Sequence, residues 1–375
     1  MNGPLGASAP AGLDVAPGKA RAGIGWPADA ASPVHAGYRP GARLAVLGAS
    51  GYSGQELIRL ALAHPRLQLC WLGSREHAGA SAADALPGID PRAASLPPLR
   101  DPRELEAALD DEAIDAVIAC LPHGAWRSFA ADHPAVAERA ALVVDLSADH
   151  RDGAAAYTYG LPEAFRGELS GARRIANPGC YPTAFALALL PAAEAGWIDG
   201  PVAVSALSGV SGAGRAPQLR TALVERSSAA SIYKASGDHP HVAEMERTLA
   251  RLGVSLPVGF VPMLAPMSRG ILLTATAPLT QPLSPDEARV TYRRRFAGEP
   301  FVRVLGDDEW PDTRAVRHSN RCDVAVTTLH GGRTLLATAA LDNLIKGAAG
   351  QAIQNLNLAM GWPETEGLPA HGVPW

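Results

Sequence analysis

The chain has 375 residues, 47% of them apolar and 19% charged, with a net charge of −4 and a pI near 6.3. That length and apolar content suit two to three folding units with a sizeable core, which excludes a mainly disordered protein. The acidic balance gives no basis for a nucleic-acid partner. Only three of the 33 basic residues are lysines (Lys19, Lys234 and Lys346), so a retained lysine is worth following. Cys70, Cys120, Cys180 and Cys322 are at least fifty residues apart and form no C-x-x-C pair. Free thiols in a reducing compartment are expected.

Residues 1–40 differ in composition from the rest of the chain. Gly, Ala and Pro fill 23 of these 40 positions, too few large apolar groups to offset chain entropy, so a disordered extension is expected. No apolar run follows the N-terminus as in a signal peptide, and no stretch is long enough for a membrane-spanning helix. From Arg43 the pattern alternates. A strand at Leu44–Leu47, a glycine turn, a helix from Gln55 to Ala63 and a strand at Leu67–Leu72 make a βαβ unit. A helix capped by Asp101-Pro102, strands at Asp115–Leu121 and Ala141–Leu146, and a helix at Ala125–Ala131 extend it into a doubly wound pattern. Beyond Val202 strands dominate: Val202–Leu207, Val258–Val261, Ile271–Ala277, Phe301–Val304, Asp323–Leu329 and Thr334–Leu341. Antiparallel pairing is expected, with a hairpin turn at His330–Arg333. Ser284-Pro285-Asp286-Glu287 caps a helix reaching Phe296, and the last helix runs from Asn343 to Met360.

Two stretches carry chemistry. G-A-S-G-Y-S-G (Gly48–Gly54), between a strand and a helix, suits a pyrophosphate lying against backbone N–H groups. The second strand ends in Gly73-Ser74-Arg75 rather than in the acid that would bond a ribose 2′-hydroxyl. A hydroxyl and a guanidinium suit a 2′-phosphate, so NADP is the expected cofactor. In Asn177-Pro178-Gly179-Cys180-Tyr181-Pro182-Thr183, Pro182 marks a first helical turn and sets Cys180 at a helix N-terminus. The helix dipole there favours a thiolate, and a depressed thiol pKa is expected. Cys70, Cys120 and Cys322 read as packing residues. A proton acceptor is available in Gly237-Asp238-His239-Pro240-His241 with Glu244. His239 is read as the general acid/base, supported by His241 and Glu244. No third metal ligand is evident beside the two histidines, and Pro240 disfavours a central strand, so no metal is expected.

Together these motifs resemble N-acetyl-gamma-glutamyl-phosphate reductase, the type 1 family of arginine biosynthesis. L-P-H-G (Leu121–Gly124), D-L-S-A-D-H-R (Asp145–Arg151), S-G-V-S-G-A-G-R (Ser208–Arg215), P-M-S-R-G-I-L (Pro266–Leu272) and the tail Asp342–Asn357 fit in the same order. The resemblance implies an α/β fold: a Rossmann-like NADP-binding domain and an α+β catalytic and dimerisation domain of the semialdehyde-dehydrogenase type. The first would take residues 41–179 and 342–375, the second 180–341. It implies NADPH-dependent reduction of an acyl phosphate to an aldehyde through a thioester on Cys180, with His239 as acid/base. Gly48, Ser50, Gly51, Tyr52, Ser53, Gly54, Ser74, Arg75, Pro122, Pro182, Asn343 and Gly347 would line the cofactor, the Lys346–Gly350 segment returning beside the nicotinamide. Arg151, Arg215, Arg269 and His241 would hold the substrate anions. A cytoplasmic homo-oligomer, dimer or tetramer, acting on a small molecule is implied, with no membrane partner. Two readings stand beside this one. A sister reductase would act on aspartyl phosphate or carrier-linked aminoadipyl phosphate. A catalytically silent NADP-binding sensor would have no need of Cys180 and His239.

Overall fold

The computed structural model describes residues 41–89, 96–153 and 156–373, and the expected N-terminal extension lies outside them. The first sheet contains β1 (Ala42–Leu47), β2 (Leu67–Gly73), β3 (Leu99–Arg100), β4 (Ala116–Ala119), β5 (Leu142–Asp145), β6 (Thr158–Tyr159) and β7 (Arg174–Ala176), in the order β3-β2-β1-β4-β5-β7-β6. All of its pairings are parallel. β4 and β5 are buried at every position, as strands covered on both faces must be. β3, β6 and β7 are too short to show a pattern in the sequence.

The final helix departs from expectation. Asn343 and Leu344 lie outside it, a π-helical turn spans Ile345–Ala349, and the α-helix runs Gly350–Met360. Asp342 holds the entry by accepting the N–H groups of Leu344 (2.9 Å) and Ile345 (3.2 Å). The helix then docks Ala352, Ile353 and Leu356 into the core of the first sheet, with Leu44, Val46, Leu57 and Ile118.

The second sheet is built from β8 (Val202–Ser208), β9 (Ser231–Ile232), β10 (Val258–Leu264), β11 (Ile271–Pro278), β12 (Val302–Val304), β13 (Cys322–Leu329) and β14 (Thr334–Leu341). Its order is β12-β13-β14-β11-β8-β10-β9. The β13–β14 hairpin forms as expected, turning through positive φ at His330, Gly331 and Gly332. Wholly antiparallel pairing does not hold, because β10 runs parallel to β8 and β12 parallel to β13. The long β8–β10 connection contains the helix Pro240–Arg251, and a crossover of that length permits parallel pairing. Helices Cys180–Glu194, Pro240–Arg251 and Pro285–Phe296 pack against this sheet in one core. From Tyr181 to Ala193 every residue of the cysteine helix is buried, which explains its lack of a polar face. Alternate residues of the strands, Ala203, Ser205, Gly259 and Thr274 among them, remain exposed. No helix among the described residues is long and apolar enough to cross a membrane.

Candidate active site

The glycine loop joins β1 to the helix Tyr52–Ala63. Gly48 has φ +75°, and a Cβ there would sit 2.3 Å from the Cys120 carbonyl oxygen. At Gly54 a Cβ would meet the Gly48 oxygen at 2.2 Å. Both glycines are therefore demanded by the turn itself. Gly51 has ordinary φ and only a 3.4 Å neighbour, so the turn does not require it. It caps the helix without a side chain, leaving a bare helix N-terminus with Tyr52 exposed and Ser53 half-buried. Across the loop Ser50 Oγ lies 2.9 Å from Ser74 Oγ, and Arg75 is exposed beyond the end of β2. A bare helix terminus with two hydroxyls and an exposed guanidinium fits a phosphorylated dinucleotide.

Cys180 is the first residue of its helix, with Gly179 as N-cap. The turn is held from below by a buried polar network. Glu244 accepts from Gly179 N–H (2.8 Å), from the Tyr159 hydroxyl (2.9 Å) and from Arg151 Nη1 (3.1 Å). Arg151 also donates to the carbonyls of Asn177 (2.8 Å) and Leu146 (2.6 Å). Asn177 reaches the Ala348 carbonyl (3.2 Å) and accepts from Asn355 (3.0 Å). The π-turn thereby closes over the cysteine, and a Cβ on Gly347 would stand 2.7 Å from Cys180 Cβ. The expected depressed thiol is not found. Burial pushes Cys180 up to about 11, against the opposing pull of the Arg151 charge and the backbone N–H groups of Tyr181 and Cys180.

His239 caps the helix Pro240–Arg251, its Nδ1 accepting the His241 N–H at 3.2 Å. A backbone N–H can only donate, so a neutral His239 carries its proton on Nε2. Burial, then the Lys234 charge, lowers its pKa to about 4. The ring is enclosed by Tyr181, Tyr233 and Phe260 at centroid distances of 6.2, 6.0 and 5.3 Å. His241 is buried with its Nε2 and Arg151 Nη1 both against Gly179, where a Cβ would meet them at 2.6 and 2.8 Å. Its Nδ1 has no partner among the described residues. Burial, then the Arg151 charge, holds His241 well below its ordinary pKa.

The three arginines expected at the substrate are separated. Arg151 sits beneath the cysteine turn with its donors committed as above. Arg269 is not placed for a substrate anion, since it is paired with Glu56 and with Asp342 (3.3 Å). Arg215 is exposed and donates to the Ser50 carbonyl at 2.7 Å, on the glycine loop. Asn343 is likewise occupied by protein, accepting from Gly270 N–H (2.8 Å) and donating to Ser211 (3.0 Å). Pro182 is buried in the first turn of the cysteine helix, and Pro122 is exposed in the loop after β4. The Lys346 side chain turns away from Cys180 to Glu163 (2.6 Å) and Gln354 (2.7 Å). Sequence reasoning missed Tyr159 and Tyr233, which no local motif marks, and gave Asn355, within the tail motif, no role of its own. Their relevance arises from contacts 52 to 178 residues away along the chain.

Residues 43–172 match the family described as semialdehyde dehydrogenase, NAD binding domain, and residues 180–343 match semialdehyde dehydrogenase, dimerisation domain. The N-acetyl-gamma-glutamyl-phosphate reductase of Acidothermus cellulolyticus is 44% identical over 350 residues, 89% of this chain and 99% of that one. Its counterpart from Thermus thermophilus is 42% identical over 363 residues, 88% and 99% of the two chains. Among solved structures, aspartate semialdehyde dehydrogenase II from Vibrio cholerae superposes with a TM-score of 0.66 at 16% identity, over 85% of this chain and 98% of that one. Aspartate semialdehyde dehydrogenase with NADP from Candida albicans gives 0.65 at 17% identity, over 86% and 99%. These structures share the fold. With relatives this similar along nearly their whole length, the chain belongs to the N-acetyl-gamma-glutamyl-phosphate reductase family of semialdehyde dehydrogenases.

Proposed function

We infer that the protein reduces N-acetyl-L-glutamyl 5-phosphate to N-acetyl-L-glutamate 5-semialdehyde and phosphate, using NADPH, in arginine biosynthesis. The observation that carries this reading is a cysteine at a helix start, flanked by two neutral histidines and braced by a π-turn, in a chain of this family. Cys180 is the nucleophile. It reacts as its thiolate, the thiol proton having gone to solvent: the sulfur bonds to the acyl carbon, and the carbon–oxygen bond to phosphate breaks with its electron pair leaving on phosphate. The reduced nicotinamide, when bound, supplies the hydride that reduces the thioester carbon. Breaking the carbon–sulfur bond then frees the aldehyde and returns the Cys180 sulfur.

Two proton sites serve these steps. His239 presents Nε2–H and is suited to donate to oxygen, while His241 Nε2 borders the cysteine turn. Arg151 favours a charged sulfur without leaving its carbonyl partners. Gly48, Ser50, Gly51, Tyr52, Ser53 and Gly54 would hold the pyrophosphate side of NADP, Ser74 and Arg75 its 2′-phosphate, and Gly347 the nicotinamide side. Arg215 is the exposed guanidinium at that mouth, open to an anion. Residues 41–179 and 342–375 would form the dinucleotide-binding domain and 180–341 the catalytic one. This division is supported by the two separate sheets and by the final helix docking on the first. A homodimer or tetramer is the assembly proposed, supported by the sheet residues left exposed and by the dimerisation family matching 180–343. Free cysteines and a biosynthetic role support the cytoplasm as its place.

The reverse reaction tests the assignment. N-acetylglutamate semialdehyde with NADP and phosphate should yield NADPH, and omitting phosphate should suppress it. Turnover with aspartate semialdehyde alone overturns the substrate. Cys180→Ala should abolish turnover while NADPH still binds, and activity near wild type would remove Cys180 from the mechanism.

A further inference from the structure

The backbone that holds Cys180 has little left to offer a substrate carbonyl. Gly179 N–H is given to Glu244 at 2.8 Å, and the N–H groups of Cys180 and Tyr181 bear on the sulfur. Addition of a thiol to an acyl group nevertheless places negative charge on the carbonyl oxygen, which needs donors already in position. His239 Nε2–H can supply one. A second would come from another side chain near Cys180.

Tyr233 is placed to provide it. It follows β9 at the edge of the second sheet, fixed there by its N–H donating to the Pro262 carbonyl at 3.1 Å. Its hydroxyl lies 2.9 Å from that of Tyr181, the residue next to Cys180. Its ring meets His239 at 6.0 Å with an interplanar angle of 63°. Tyr181 is enclosed, whereas Tyr233 is half-buried. With Tyr181 donating into Tyr233, the Tyr233 proton is left free for another acceptor and becomes a stronger donor through the shared chain. Burial, with a further contribution from the Cys180 sulfur, pushes the Tyr233 phenol up to about 12, so it keeps its proton across the neutral range.

We propose that the Tyr233 hydroxyl, backed by Tyr181, donates a hydrogen bond to the acyl oxygen of the substrate as Cys180 adds to the carbonyl carbon. Cys180 adds as its thiolate, the thiol proton having gone to solvent; the sulfur lone pair forms the carbon–sulfur bond and the carbonyl electron pair moves onto oxygen, with Tyr233 keeping its proton. When the carbonyl re-forms, phosphate leaves with the carbon–oxygen pair. This assignment rests on the acyl-phosphate reading above.

Tyr233→Phe keeps the ring against His239 and removes only the hydroxyl. In the phosphate-dependent oxidation of N-acetylglutamate semialdehyde, kcat should fall roughly 10- to 100-fold, with KM for the aldehyde changed less than about threefold. Alkylation of Cys180 by iodoacetamide, which develops no oxyanion, should keep the wild-type rate and pH profile. Turnover within about threefold of wild type overturns the proposal. A parallel loss of alkylation also overturns it, because the hydroxyl would then be acting on the thiol. Tyr181→Phe should cost less than Tyr233→Phe, and the reverse order with alkylation intact moves the donor to Tyr181. If wild type oxidises aspartate semialdehyde instead, the substrate reading fails, and the same comparison on that aldehyde still decides the role of Tyr233.

Discussion

Cys180 shows how two local effects compete within one residue. A helix N-terminus favours a thiolate by up to about 2 kcal/mol, whereas burial of a charge costs several. Burial wins, and the thiol stands at about 11. At pH 7 the thiolate fraction of the free protein is then on the order of 10⁻⁴. Iodoacetamide should alkylate Cys180 slowly at neutral pH, the rate rising about tenfold per pH unit with no plateau below about pH 10. His239, lowered to about 4, should add no inflection between about pH 5 and 8. A rate already saturated near neutrality would show that the helix terminus prevails instead. The sequence made the cysteine and its helix start legible through Pro182 and Gly179. It did not show the enclosure that raises the thiol, because the Arg151–Glu244–Tyr159 network beneath it is assembled from distant segments.

At the scale of elements, the glycine loop separates two kinds of requirement. Gly54→Ala places a methyl against the Gly48 carbonyl oxygen, a rigid backbone atom at 2.2 Å. The helix-propensity gain of about 1 kcal/mol cannot offset that clash, and a net loss of about 1–3 kcal/mol is expected in denaturant unfolding. Gly51→Ala has room at 3.4 Å and should unfold near the wild-type midpoint, yet, on the proposed placement of the cofactor, bind NADPH more weakly because a methyl at the bare helix N-terminus would crowd its phosphates. Equal unfolding midpoints for the two variants would contradict this division. The spacing G-x-x-G-x-x-G marked the loop but not which glycine serves the turn and which the ligand. The π-turn was illegible for a related reason. Its sequence is compatible with a plain helix, and it is diverted by Asn343 through Ser211, 132 residues away, and by Asp342 through the local N–H groups of Leu344 and Ile345.

Across the whole molecule the rare lysine acquires a structural task. Lys346 is fully buried against Glu163 and Gln354, joining the π-turn to the helix Pro162–Leu169. Lys346→Met should destabilise the protein by about 3–5 kcal/mol in denaturant unfolding, since it strands the Glu163 charge. Adding Glu163→Gln should recover much of that loss, and no recovery would mean that packing alone sets the cost. Burial works to raise the Glu163 carboxyl, but Lys346 overrides it and holds the pKa below 4.5. The stability it contributes is thus present above that value and lost as pH falls through the folded pKa. The first core was legible from the sequence because parallel strands buried on both faces read as unbroken apolar runs. So were the glycine loop, the cysteine motif and the histidine pair, whose meaning lies in neighbouring residues along the chain. Only the tertiary structure decided that Arg269 clamps Glu56 and Asp342, that Arg151 braces the cysteine turn, and that Tyr233 reaches Tyr181. A guanidinium or a phenol takes its role from whatever faces it, and here those partners lie far along the chain and meet only when it folds.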